Sequence, residues 1–100
     1  MVLLDDLGAG LSDEYVLIKI NRDVRFIDEI KMKASNRDEF KLKAWGTAIN
    51  LAVRLAAIAV EEDIPDFYID SVQIGTEEDV EMKNNKVRPL SWMEIVIKKK

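Results

Sequence analysis

Phe40-Lys41-Leu42-Lys43-Ala44-Trp45-Gly46-Thr47-Ala48-Ile49 is the stretch on which the fold turns. Phe40, Leu42 and Ala44 alternate with Lys41 and Lys43, the period of a strand with one buried and one wet face. Gly46-Thr47 interrupts the alternation. From Ala48 to about Glu62 the apolar residues then cover nearly the whole circumference of a helix, leaving only a stripe through Thr47, Asn50, Arg54 and Glu61 polar. A helix so apolar cannot lie on a sheet with its back to water; it must also meet another helix, a second subunit, or both. Glu61-Glu62-Asp63 opposes the helix dipole at the end where cations belong, which marks fraying or an exit turn before Ile64-Pro65-Asp66.

Upstream, Val16, Ile18 and Ile20 alternate with Tyr15, Leu17 and Lys19, which predicts a strand over Tyr15 to Ile20. Asn21-Arg22-Asp23 suits a turn and helix cap, and Val24, Ile27, Ile30 and Ala34 follow at helical spacing, so a helix is expected from about Asp23 to Ala34, broken by Ser35 to Asp38. Strand, helix, strand implies a parallel pair with a right-handed crossover. Downstream, Phe67 to Gly75 and Leu90 to Ile97 are rich in strand formers. They predict a long hairpin whose outer part, Thr76 to Pro89, projects as a two-stranded arm with Asn84-Asn85 at its tip. The class is α/β, an α+β sandwich of order β-α-β-α-β-β over residues 15–100, preceded by an acidic tail over 1–14 set apart from the domain.

Composition narrows the function. The 100 residues contain no cysteine and no histidine, which removes disulfides, thiolate metal sites and the commonest general base. No catalytic residue, metal site or cofactor is expected: Glu61-Glu62-Asp63 and Glu77-Glu78-Asp79 are adjacent carboxylates without a closing loop. The tail has no positive charge to begin a signal peptide, and the longest apolar run, Leu51 to Val60, is interrupted by Arg54. A cytoplasmic, non-membrane, non-enzymatic protein is expected. Lys and Arg number 15 against 19 Asp and Glu, and the four surplus acids all lie in the tail, so the domain is neutral by count. A mixed-sign surface of this kind is common in thermophiles.

Leu42-Lys43-Ala44-Trp45-Gly46-Thr47-Ala48-Ile49 is similar to the strand-to-helix motif Ile-Lys-Ala-Arg-Gly-Arg-Ala-Ile of the Alba family of archaeal chromatin proteins. Ile64-Pro65-Asp66, Val72-Gln73-Ile74-Gly75-Thr76 and Met93-Glu94-Ile95-Val96-Ile97-Lys98-Lys99 extend the resemblance over Tyr15 to Lys100. It implies the Alba fold, related to the carboxy-terminal domain of translation initiation factor three. It also implies homodimers that bind double-stranded DNA and RNA, with the bodies over a groove and the arms reaching along the duplex.

The chain departs from that pattern where charge matters. The family's Gly-Lys-Lys-Pro turn corresponds to Ile20-Asn21-Arg22-Asp23, and its two motif arginines to Trp45 and Thr47. From Thr76 to Pro89, Glu77, Glu78, Asp79 and Glu81 outnumber Lys83, Lys86 and Arg88. The aromatic residue that packs dimer against dimer corresponds to Asp63. What remains is a thinned line of Arg22, Arg25, Lys43, Lys83, Lys86 and Arg88, with Leu51, Leu55, Ile58, Trp92 and Ile95 expected at a dimer interface. The expectation is a dimeric Alba-like protein whose nucleic-acid binding is weakened or lost, keeping a protein-interaction role; the alternative is a low-affinity DNA or RNA binder. A basic paralogue could supply the other half of a heterodimer.

Overall fold

The computed structural model describes residues 14–20, 26–81 and 86–100. The expected turn at Asn21-Arg22-Asp23, the start of the first helix, the hairpin tip at Asn84-Asn85 and all but the last residue of the tail lie outside them. In chain order the elements are β1 (Tyr15–Ile18), α1 (Phe26–Asn36), β2 (Glu39–Trp45), α2 (Ala48–Ile58), a π-helical turn (Ala59–Asp63), β3 (Phe67–Glu81) and β4 (Lys86–Lys99). One four-stranded sheet of order β1-β2-β4-β3 results, with β1 parallel to β2 and the other two pairs antiparallel.

The alternation read in β2 becomes the two faces of that sheet. Phe40, Leu42 and Ala44 are fully buried and stand opposite Ile97, Ile95 and Met93 of β4, while Val16 and Ile18 stand opposite Leu42 and Ala44. Both helices cover this face. α2 lies on it through Ala48, Ala52 and Ala56, followed by Ala59 in the π-helical turn, small residues that bring the helix close to the strands. Phe26 and Ile30 of α1 join the same core, closed at its far end by Phe40 against Phe67, ring centres 5.8 Å apart. Burying this set supplies the main stabilisation, at roughly 1.5–3 kcal/mol for each large apolar side chain.

Three boundaries differ from the sequence reading, each for a physical reason. β1 stops at Ile18, two residues early, because the row beyond Trp45 would pair Ile20 with Gly46, where φ is +57° and the chain turns into α2. Ile20 is left exposed. α1 continues through Ser35 and Asn36, whose side chains donate to the Met32 carbonyl at 2.8 and 3.0 Å and so hold the last turn. At the other helix, the acidic stretch Glu61-Glu62-Asp63 coincides with a widening of α2 into the π-helical turn, closed by Ile64 N–H donating to Ala59 O at 2.8 Å.

The arm is a continuous ladder from Gly75/Trp92 to Glu81/Lys86. Pro89 is tolerated within it because β2 ends at Trp45, opposite Trp92, and leaves that edge of β4 free. Within the body, a bulge at Asp70 lets Ile69 and Val72, three residues apart, share the helix-ward face with Ile74. Among the described residues no helix covers them: Ile69, Val72 and Ile74 are 39, 50 and 73% exposed, and Val53 and Ile58 of α2 are exposed as well. No helix among the described residues is long and apolar enough to cross a membrane.

Candidate functional site

The face of the sheet without helices carries the polar half of the same alternation. Tyr15 and Leu17 of β1, Lys41, Lys43 and Trp45 of β2, and Trp92, Glu94 and Val96 of β4 occupy it by register. Glu94 sits at its centre, only 8% exposed. Its carboxylate pairs with Lys41 at 3.7 Å and Lys43 at 3.5 Å, and accepts a hydrogen bond from the Tyr15 hydroxyl at 3.1 Å. Lys41 also meets Glu14 at 3.9 Å and lies 5.4 Å from the centre of the Tyr15 ring. The Lys43 ammonium lies 5.2 Å from the Trp45 ring centre and 4.8 Å from that of Trp92, within cation–π range of both.

The register also decides how the expected contact line is spent. Lys43 stands opposite Glu94, Lys86 opposite Glu81 and Arg88 opposite Asp79. Directly opposed residues are the closest cross-strand neighbours in a sheet, and opposite charges there attract. Each of these three bases therefore stands opposite an acid by register, and for Lys43 the ion pair itself closes at 3.5 Å. The same holds outside the line: Lys98 stands opposite Glu39, meeting it at 3.7 Å, and pairs with Asp70 at 3.4 Å. Arg22, Arg25 and Lys83 lie outside the described residues. Glu94 was not singled out from sequence as a partner of the bases; the signal was the register, since Glu94 meets Lys43 only once β4 is laid against β2.

The expected interface residues do not share one surface. Ile58 is exposed, and Leu51 and Leu55 are half-buried against the core. Ile95 is 2% exposed, opposite Leu42, and belongs to the chain's own core. Trp92 stands an odd number of residues from Ile95 on one strand and so lies on the helix-free face, away from α2. The apolar surface that sequence reading missed is Ile69, Val72 and Ile74 on β3, hidden by the bulge that breaks the alternation.

With this architecture in place, the comparison with solved structures is decisive for the fold. Alba from Thermoplasma volcanium superimposes with a TM-score of 0.75 over 85% of this chain and 99% of that one, at 20% sequence identity. The fold is that of Alba. ALBA1 from Trypanosoma brucei gives a TM-score of 0.67 over 87% of this chain and 69% of that one, at 19% identity. No protein-family model matches the sequence, and no curated protein matches it. On the shared Alba scaffold, this chain's open face is an aromatic and ion-paired lattice.

Titration reads this lattice out. Partial burial, and then the Glu94 carboxylate that accepts its hydrogen bond, raise the Tyr15 phenol above its ordinary pKa. Asp70, and less strongly Glu39, raise the Lys98 ammonium. Both groups bind their protons more tightly in the folded chain than in the unfolded one. Their stabilisation is therefore full below the ordinary values of about 10 and is lost as pH rises through the raised ones. The melting temperature should fall above about pH 10, and Tyr15→Phe should make the fall shallower; an unchanged slope in that variant would contradict the assignment to Tyr15.

Proposed function

We propose that the chain is a non-enzymatic Alba-family protein whose phosphate binding is weakened or lost and whose scaffold serves protein interaction in the cytoplasm. The observation that carries this reading is the register of opposite charges: Lys43, Lys86 and Arg88 face Glu94, Glu81 and Asp79. A phosphate contact at Lys43 competes with the Glu94 carboxylate 3.5 Å away, and Lys86 and Arg88 stand opposite acids by register. Non-specific duplex binding comes from Lys and Arg releasing condensed counterions, and moving affinity by several decades takes about six or more such contacts. A domain neutral by count, with three bases of the expected contact line opposite acids in register, falls short of that. The absence of Cys and His supports a non-catalytic role.

Purified protein titrated with duplex DNA and duplex RNA at about 50 and 200 mM salt should form no complex at either. The triple variant Asn21→Lys, Thr47→Arg, Glu78→Lys should gain duplex affinity by orders of magnitude at the lower salt. A wild-type complex that forms at low salt and collapses at high salt would establish the low-affinity binder instead, and a triple variant without gain would sink the account of lost charge.

The proposal includes a homodimer. What supports it is the apolar strip of Ile69, Val72 and Ile74 left exposed along β3, since exposed apolar surface of this kind marks interaction sites. Sedimentation equilibrium should give twice the chain mass, and Ile74→Glu should give the monomer mass with the fold retained, because Ile74 is 73% exposed. A monomeric wild type would remove the homodimer and turn attention to a heterodimer with a basic paralogue.

A further inference from the structure

Both tryptophans of the chain lie in the row of the sheet where three strands become two. Trp45 ends β2 and stands opposite Trp92 of β4, which stands opposite Gly75 of β3. Outward from that row β4 has only β3 beside it, as far as Glu81/Lys86. A two-stranded ribbon is marginal by itself in water, and Glu77, Glu78, Asp79 and Glu81 with Lys86 and Arg88 make this one mostly polar in sequence. Its order has to come from its root.

The root is closely built. The Trp92 ring lies against the backbone of Gly75 so tightly that a β-carbon there would come within 2.4 Å of it. Gly75 does not have the left-handed conformation found at Gly46, so what it provides is room rather than an unusual φ. Trp45 spans β4, and its indole N–H donates a long hydrogen bond to Glu77 Oε1 at 3.4 Å, beyond the root on β3. The Lys43 ammonium joins the two rings and is held by Glu94 at 3.5 Å. At the turn into α2, Gly46 N–H donates to Ser91 O at 2.8 Å and ties the end of β2 to the first row of the ribbon.

We propose that Trp45, Trp92, Lys43 and Gly75 form a clamp that fixes the arm to the body of the sheet. The four are positioning residues: the arm is ordered and aimed from the helix-free face, whatever the arm itself meets. The clamp stands independently of the loss of phosphate binding, and neither outcome of the duplex titration bears on it.

Tryptophan emission reports this cluster alone, because the chain has two tryptophans and both are in it. Amide hydrogen exchange resolved along the chain should be compared in wild type, Trp45→Ala, Trp45→Phe and Gly75→Val, with emission recorded for each. In Trp45→Ala and Gly75→Val, the ladder between Thr76 and Glu81 should exchange about tenfold faster or more, while the β1–β2 and β2–β4 ladders keep their rates. Emission of the remaining Trp92 in Trp45→Ala should move to the red. Trp45→Phe, which restores a ring for Lys43, should recover most of the arm's protection. Equal acceleration of arm and body would mean the cluster only stabilises the whole domain and would overturn the clamp, as would an arm whose exchange does not change. If Gly75→Val does not fold, the Ala and Phe variants at Trp45 decide the matter.

Discussion

The antiparallel pairing of β2 with β4 is the constraint from which the rest of the molecule follows. Seven rows, from Glu39/Lys98 to Trp45/Trp92, fix at once which side chains face the helices and which face away. Phe40, Leu42 and Ala44 with Ile97, Ile95 and Met93 make the floor of the core. Lys41, Lys43 and Trp45 with Val96, Glu94 and Trp92 make the open face. A slip of one residue would exchange the two sets and bury lysines under α2, so the apolar pattern makes this register strongly specified. β1 and β3 then add to its two sides.

On the open face, the consequence is chemical. Charged residues that look unassigned in the sequence become neighbours by register, and most find their opposite within the sheet. Exposed ion pairs of this kind contribute little to stability, about 0–1 kcal/mol each. Lys41, Lys43 and Glu94 are better placed than that, since their side chains are 24, 18 and 11% exposed and aromatic rings shield two of the ammonium groups. The functional effect is larger than the energetic one. An anion approaching Lys43 meets a cation already flanked by a carboxylate and two indoles.

Much of the fold was legible because it rests on periodicity. The alternation at Phe40 to Ala44, the helix beginning at Ala48 and the hairpin of β3 with β4 all appear where their patterns place them. The errors arose where long-range pairing overrides a local pattern. Ile20 continues the alternation of β1 but has no partner row, because β2 turns at Gly46. Ile95 and Trp92 read as one surface although their odd spacing puts them on opposite faces. Asp70 inserts a residue that realigns Ile69 with Val72, and the broken alternation from Phe67 to Val72 was the available sign of it. The candidate site was less legible still: the bases could be counted, but the acid facing each could not be named before the register was known.

Lys43 is satisfied within the sheet by Glu94, and a double-mutant cycle on the two residues tests this most directly. Unfolding free energies of wild type, Lys43→Met, Glu94→Gln and the double variant should give a favourable coupling of about 0.5 kcal/mol or more, as expected for residues in one charge network. Additive effects, with no coupling, would mean that Lys43 is not engaged by its neighbour and is free to meet phosphate, which would contradict the account.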